Sequence, residues 1–249
     1  MAIAFQTNTT DIYNTGIAGS THTLSITKPT GLSDGDFLIL TIASRESDNT
    51  SRRLNSPPEL IGFTQLTEQS AYDTAAISKA WVYIRQVGVA SQEPASYSFK
   101  LTYQTAAGTP IIVSVMARFS GVSAYSPLDA YGLYTPTGVG SNTVICPSIT
   151  IVAPNTMLVF VTYTRGAVIG SPTSDPSITL VDAKVGTNTV TIATSMSYIL
   201  CGTLTGLDGP TGNVSFTWSA SGINNGVIIG LRSTGFESAA APLGWLKVS

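Results

Sequence analysis

Charged side chains are scarce in this chain, which contains 12 Lys and Arg residues and 14 Asp and Glu residues among 249. They make up 10% of the sequence, whereas about 25% is usual for globular domains. This composition excludes coiled coils and long-helix proteins, which are rich in Glu, Lys, Ala and Leu. A net charge of −2 and a pI near 5.3 provide no broad attraction for nucleic acid, so we expect no such partner.

Histidine and cysteine are nearly absent, since His22, Cys146 and Cys201 are the only ones. A structural zinc site takes about four such ligands, and a catalytic nucleophile needs a base within hydrogen-bond reach. We therefore expect no enzyme activity, metal or cofactor, and we interpret His22 as a strand or loop residue. The nearest candidate for Ca²⁺ ligands, Asp34-Gly35-Asp36, is also a common turn sequence. A facing carboxylate pair, as in glycoside hydrolases, stays open as an alternative.

The sequence also shows no pattern of a secretory signal or of a membrane-spanning segment. The first residues, MAIAFQ, contain neither a basic region nor a long apolar region. The longest stretches without charge, Ala130–Thr164 and Val185–Leu207, are interrupted by polar residues, so we expect no membrane partner. Because cysteines in a chain that is not exported are usually free, Cys146 and Cys201 are expected not to form a disulfide.

Hydroxyl side chains supply the polarity instead, with 34 Thr and 29 Ser. Apolar residues alternate with polar ones in segments such as Tyr97–Tyr103, a period of two that is typical of strands with one buried face. Two runs, Phe37–Ala43 and Leu158–Val161, are apolar on both faces and are expected to be strands covered on both sides. The sequence therefore predicts an all-β, antiparallel, jelly-roll-like β-sandwich.

A weak internal repeat runs through the chain, because short segments recur in the same order at a near-constant offset. Gly35–Leu40 resembles Pro154–Phe160, and Lys79–Ile84 resembles Ser195–Leu200. These matches predict a pseudo-repeat of two halves, which are either two subdomains or two layers of one sandwich. The expected organisation is an N-terminal arm (1–19), a first β half (20–122), a loop or linker (123–143), a second β half (144–235) and a C-terminal tail (236–249).

The candidates for contacts with a partner are arginines of a charged segment, tyrosines of an expected loop and apolar residues of the tail. They are Arg45, Arg52, Arg53, Tyr125, Tyr131, Tyr134, Trp245 and Leu246. Arginine offers a fork of hydrogen-bond donors, and tyrosines on a loop stack on sugar rings or anchor interfaces. Each group has an alternative interpretation. In it the arginines belong to a solvated loop that is an ordinary surface segment, the tyrosines to the cover of the protein's own core, and the tail to a frayed chain end.

The order of several short motifs resembles that of β-sandwich proteins encoded by tailed phages and bacterial genomes. The motifs are Gly35-Asp36-Phe37-Leu38-Ile39, Ile61-Gly62-Phe63, Glu93-Pro94-Ala95-Ser96-Tyr97-Ser98-Phe99 and Phe119-Ser120-Gly121-Val122. Members of that family often carry "GDLL", "P-x-GW", "EP-x-x-Y-x-F" and "Y-x-GV", so Phe63 and Phe119 stand where the family has Trp and Tyr. The resemblance covers roughly residues 24–232.

The resemblance implies a virion component without catalytic residues, such as a capsid decoration (cement) protein or a tail-associated protein. It also implies a homotrimer that binds the major capsid protein or another virion protein, after assembly in the host cytoplasm. A tail or fibre protein that binds a host-surface glycan and a carbohydrate-binding β-sandwich module are the alternatives. The hydroxyl-rich composition suits these alternatives equally well.

Overall fold

The computed structural model describes residues 2–14, 19–45, 59–73, 76–107, 111–134, 140–166, 172–175, 178–186, 191–200 and 209–234. These residues form antiparallel strands and one short 3-10 helix, Ala90–Gln92, and the described part of the chain has no α-helix. The predicted all-β antiparallel fold is therefore confirmed.

The described residues of the first half form eight strands. They are β1 (Ala4–Asn14), β2 (Gly19–Thr27), β3 (Phe37–Arg45), β4 (Glu59–Leu60), β5 (Thr64–Asp73), β6 (Ala76–Gln86), β7 (Ser96–Ala107) and β8 (Ile111–Ser120). One sheet has the order β1-β8-β3-β6-β5, and a smaller sheet has the order β2-β7-β4. The placement of strands 1, 8, 3 and 6 in one sheet and of 2, 7 and 4 in the other is that of a jelly roll.

In the second half, nine further strands occur within the described ranges. They are β9 (Leu128–Tyr134), β10 (Ser141–Cys146), β11 (Thr150–Ile151), β12 (Met157–Gly166), β13 (Thr173–Asp175), β14 (Thr179–Gly186), β15 (Thr191–Leu200), β16 (Gly209–Pro210) and β17 (Val214–Leu231). Strand β17 passes from one sheet to the other, because residues 214–217 pair with β10 and β13, whereas residues 222–231 pair with β12. Strand β9 pairs with the later part of β17, and β14 pairs with β15.

The two halves repeat the same set of strand pairings. Strand β3 lies between β8 and β6, and β12 lies likewise between β17 and β15. The irregularities repeat as well, since β5 is bulged after Gln65 and β14 after Leu180, at the same distance from the strand start. Bulges are retained features of a fold, so this match is strong evidence that the halves are copies of one unit. The strand pairings agree with the predicted pseudo-repeat, since Phe37–Ala43 lies on β3 and Leu158–Tyr163 on β12.

The halves pack against each other through their larger sheets, so the molecule has four β layers. One apolar core fills the first half, where Leu38 and Trp81 face Phe99. A second core fills the other half, where Leu158 and Phe160 face β10 and the first part of β17. A third apolar layer joins the two large sheets and contains residues of β3, β8, β12 and β17. Each half is thus a two-sheet jelly roll, and the central strands β3 and β12 of the inner sheets are covered on both faces.

This arrangement explains the two runs that are apolar on both faces. Leu38 and Leu40 point into the core of the first half, whereas Phe37 and Ile39 point into the layer between the halves. All residues of 37–43 and of 158–161 are buried, which confirms the sequence prediction. A hydrogen bond between the Thr41 and Thr194 hydroxyls, 3.1 Å apart, also crosses this layer.

Strands occur within the segments that the sequence assigns to an N-terminal arm and to a loop or linker. The expected arm, 1–19, contributes β1, and the expected loop, 123–143, contributes β9; each forms an edge of its large sheet. Strand β1 is rich in Thr, Asn and other polar residues, and β9 has no polar–apolar alternation, so both segments resemble coil in sequence. Phe5 packs within the chain, with its ring centroid 5.3 Å from that of Tyr198. The expected tail, 236–249, lies outside the described residues.

Candidate functional site

The contact candidates from the sequence do not form one cluster. Arg45 ends β3, at the end of the molecule opposite to Tyr125. Tyr131 and Tyr134 lie on strand β9 rather than on the expected loop. The remaining four, Arg52, Arg53, Trp245 and Leu246, lie outside the described residues.

Tyr125 is presented on a turn that hydrogen bonds hold from several sides. The Ser126 backbone N–H donates to Ser123 Oγ at 3.2 Å, and the Ser123 N–H donates to the Arg232 carbonyl at 2.8 Å. Gly121, just before the turn, has φ +74°, and a Cβ there would overlap the Ala2 carbonyl oxygen. The Tyr125 side chain is 80% exposed on this turn. It is therefore an exposed aromatic group on a firmly held backbone.

A buried ion pair supports both this turn and its neighbour. Arg232 donates from Nη2 to Asp129 Oδ1 at 2.7 Å and from Nη1 to Ser126 Oγ at 3.1 Å. The Asp129 side chain is fully buried, and its Oδ2 accepts the backbone N–H groups of Val152 and Ala153 at 2.9 and 3.1 Å. Because one carboxylate joins two connections, the positions of Tyr125 and Val152 are coupled.

The other tyrosines of the sequence prediction lie at the edge of the layer between the halves. Tyr131 is 49% exposed and shares its face of β9 with Leu133. Tyr134 is partly buried, and its carbonyl accepts a hydrogen bond from Gln69 Nε2 of β5 at 3.2 Å. These residues therefore cover the junction of the two halves, away from the Tyr125 turn.

Several residues of the short motifs noted in the sequence meet around Arg85. Its Nη2 donates to both carboxylate oxygens of Glu93, at 2.7 and 2.9 Å, and its guanidinium lies 5.5 Å from the Phe63 ring centroid and 5.6 Å from that of Tyr97. The Tyr97 hydroxyl donates to Glu93 Oε2 at 3.0 Å. Burial and this hydrogen bond to Glu93 raise the pKa of Tyr97. Gly62, with φ +81°, leaves room for the guanidinium, because a Cβ there would overlap Arg85 Nη1.

The Gly-Asp motif forms a second ion pair at the start of β3. Arg118 Nε donates to Asp36 Oδ2 at 2.6 Å, and the same oxygen accepts the Ser33 backbone N–H at 2.7 Å. Asp34 Oδ1 accepts the backbone N–H of Ala90 at 2.8 Å. Both carboxylates of the candidate Ca²⁺ sequence are therefore used within the protein, as the turn interpretation requires.

These features share one end of the molecule, which we call the connection end. It comprises the connections 28–36, 61–63, 87–95, 121–127, 147–156 and 232–234, next to the first residues of β3 and β12. Phe37 and Met157, which begin these two strands, belong to the same apolar layer between the halves. No local sequence pattern predicts this grouping, because it depends on how the two halves pack.

The groups considered for catalysis are placed as structural residues. His22 is buried on β2, opposite Leu101, as a strand residue. Cys146 is a free, buried thiol whose Sγ donates to the Val227 carbonyl at 3.6 Å, and burial raises its pKa. Cys201 lies outside the described residues, so the absence of a disulfide stays a prediction. Within the described ranges, no group of three or more His, Cys, Asp or Glu side chains is arranged to hold a metal ion.

Comparisons with known proteins identify no relative. No protein-family model, curated protein or solved structure matches this chain. The part of the chain that the structure describes also contains no helix of the length and apolarity needed to cross a membrane.

Proposed function

We propose that this chain is a non-enzymatic structural protein of a phage virion: a capsid decoration, or cement, protein that binds the outer capsid surface and stabilises it. The observation that supports the proposal is the structural role of the residues in the motifs that resemble the family. Asp36, Phe63, Glu93 and Tyr97 are engaged in ion pairs, ring contacts and hydrogen bonds that hold connections. The motifs thus specify a rigid scaffold, and a decoration protein needs a rigid scaffold rather than a reaction centre.

The proposed partners are other copies of the chain, as a homotrimer, and the major capsid protein or another virion protein. Because β1 belongs to its own sheet, the tail 236–249 is the remaining candidate for contacts between copies. Light scattering on the full chain and on a variant ending at Gly235 tests this role. We expect a trimer for the full chain and a smaller species for the truncated variant, whereas a monomer in both cases contradicts the oligomer.

The direct test of the virion assignment is to locate the chain in purified particles of the phage that encodes it. We expect mass spectrometry to find the chain at a fixed ratio to the major capsid protein, and immunogold labels to lie on the head. Shells without the chain should lose their contents at a lower temperature, and added protein should restore them. Particles that lack the chain, or shells whose stability does not depend on it, would contradict the proposal.

A tail or fibre protein that binds host glycan, or a carbohydrate-binding module, is the second candidate. The observation in its favour is the exposure of Tyr125, at 80%, and of Tyr131, at 49%, because tyrosine rings stack on sugar rings. A glycan array probed with the native protein and with the Tyr125→Ala and Tyr131→Ala variants distinguishes the candidates. Binding that is lost in either variant, together with tail labelling in particles, favours the glycan function.

A further inference from the structure

Exposed apolar side chains occupy the tips of four separate connections at the connection end. Ile61 is 94% exposed, Tyr125 80%, Val152 65% and Val89 47%. Each belongs to a different connection, and Tyr125 and Val152 lie in the second half of the molecule or next to it. Single exposed apolar residues are common on protein surfaces, but four on the tips of one end form a recurring pattern that needs an explanation.

The charged side chains that the structure describes at this end are all engaged within the protein. They are the cations Lys28, Arg85, Arg118 and Arg232 and the carboxylates Asp34, Asp36, Glu93 and Asp129. The two signs balance, and the three ion pairs have carboxylates with side-chain exposures of only 5%, 4% and 0%. Lys28 and Asp34, one charge of each sign, bond to backbone groups rather than to an opposite charge. The connection end therefore presents apolar tips on a background whose described charges sum to zero.

The backbone at these tips is also fixed by contacts within the protein itself. Gly62 and Gly121 adopt positive φ where a side chain would overlap neighbouring atoms, and Asp129 ties the backbone of Val152 to the strand below. Side chains on a fixed backbone lose little conformational entropy when they bind. Interface hot spots have this character, with an aromatic anchor set in a region that excludes water.

We propose that the connection end is a docking surface for an uncharged protein surface with pockets that accept Ile61, Tyr125 and Val152. This inference rests on the proposed function, under which that surface belongs to the virion shell. The charges at this end favour such an occupant over anionic lipid, whose recruitment uses clusters of free Lys or Arg. The three arginines described here are in ion pairs, and Lys28 donates to the Glu93 carbonyl. Glycan sites place polar groups beside an aromatic ring, but the polar groups next to Tyr125 are already used by Arg232 and Ser123.

The test measures binding to shells purified from particles that lack this chain. The variant with Ile61→Ser, Tyr125→Ser and Val152→Ser should bind about 30-fold more weakly or worse, which corresponds to the loss of one hot spot. The control Ile12→Ser removes a side chain that is 46% exposed on β1, away from the connection end, and should change the affinity by less than about 3-fold. Affinity should also change little from low to high salt, since the proposed contacts are apolar and the three arginines at this end are in ion pairs within the protein.

Footprinting provides an independent readout that does not depend on a variant's stability. On the wild-type chain bound to shells, hydroxyl-radical labelling of Tyr125 and Ile61 should fall, whereas labelling of Ile12 should stay as in the free protein. Wild-type binding that the triple variant retains, with unchanged labelling of the tips, overturns the docking surface and leaves the virion function standing. Wild-type protein that does not bind shells at all overturns both proposals. Binding to phosphatidylcholine vesicles through the tips, or loss of self-association in the triple variant, also overturns the assignment, because the occupant is then lipid or a second copy.

Discussion

Arg85 and Glu93 form a buried ion pair. We therefore predict that the effect of a Glu93 substitution on the free energy of unfolding changes sign when Arg85 is also replaced. The Glu93 side chain is 5% exposed and that of Arg85 is 21% exposed. The substitution Arg85→Met keeps the length of the stem between the rings of Phe63 and Tyr97 but leaves the carboxylate without its cation. An uncompensated buried charge costs about 3–5 kcal/mol, so we expect Arg85→Met to lower the free energy of unfolding by that amount.

Neutralising Glu93 should rescue this variant. In Arg85→Met with Glu93→Gln no charge is buried, and the amide oxygen of Gln still accepts the Tyr97 hydroxyl. The remaining loss comprises one or two hydrogen bonds and the cation–π contacts, for a total of about 1–2 kcal/mol. Glu93→Gln should thus stabilise the Arg85→Met background by about 2–3 kcal/mol, although it destabilises the wild-type protein.

Urea unfolding of the four proteins in this double-mutant cycle measures the coupling directly. The ion pair of Lys79 and Glu68, with a 2.9 Å contact and side-chain exposures of 18% and 29%, is the control. Lys79→Met should change the free energy of unfolding by at most about 1 kcal/mol, since exposed pairs contribute little. If Glu93→Gln destabilises the Arg85→Met background as it does the wild type, buried charge is not the cause, and the reasoning is refuted.

Three further predictions concern buried side chains and one turn. The Cys146 thiol should resist alkylation in the native protein and react once urea unfolds the chain, because burial raises its pKa. Rapid alkylation of Cys146 in the native protein would contradict its burial. Burial raises the pKa values of Tyr83 and Tyr97 in the folded protein. Their contribution to stability is therefore complete below the tyrosine pKa of the unfolded chain, about 10, and is lost at higher pH, where the unfolded chain ionises first. Unfolding experiments at several pH values, with tyrosinate absorbance as the signal, check this. Gly121→Ala should destabilise the protein by about 1–3 kcal/mol, because of its positive φ and the overlap with Ala2, and a denaturation midpoint equal to wild type would contradict this.

The fold was predictable where strands are buried on at least one face. Alternation in Tyr97–Tyr103 and the apolar runs at Phe37–Ala43 and Leu158–Val161 identify strands, since the period of two is local. The edge strands β1 and β9 were not identified, because β1 is rich in polar residues and β9, with Tyr131 and Leu133 exposed, has no polar–apolar alternation. Sheet order depends on pairings between segments far apart in sequence, and no local pattern encodes it.

The register of the repeat was predicted incorrectly for one strand pair. The sequence match placed Ile84 with Leu200, but the structure makes Ile84 equivalent to Tyr198, because their strand partners Ile39 and Val159 are equivalent. A slip of two residues keeps every side chain on the same face, so the alternating pattern cannot detect it. A slip of one residue would have been visible at once.

The candidate site was predictable only in part. The exposure of Tyr125 agrees with its place among the contact candidates, but its partners in the turn, Arg232 and Ser123, are remote in sequence. Ile61, Val89 and Val152 were not singled out, because an isolated apolar residue in a connection carries no periodic signal. Their common location appears only after the halves are packed together.

The shared strand β17 has a consequence for synthesis on the ribosome. Residues 214–231 pair with β9, β10, β12 and β13, so the second half lacks its central strand until the last described residues emerge. Until then the first half, already translated, exposes the face of β3 and β8 that includes Phe37, Val115 and Phe119. Slow translation between β8 and β17 would prolong this exposure and favour aggregation. Codon choice in that stretch of the gene is therefore expected to affect the yield of folded protein, even where the amino-acid sequence is unchanged.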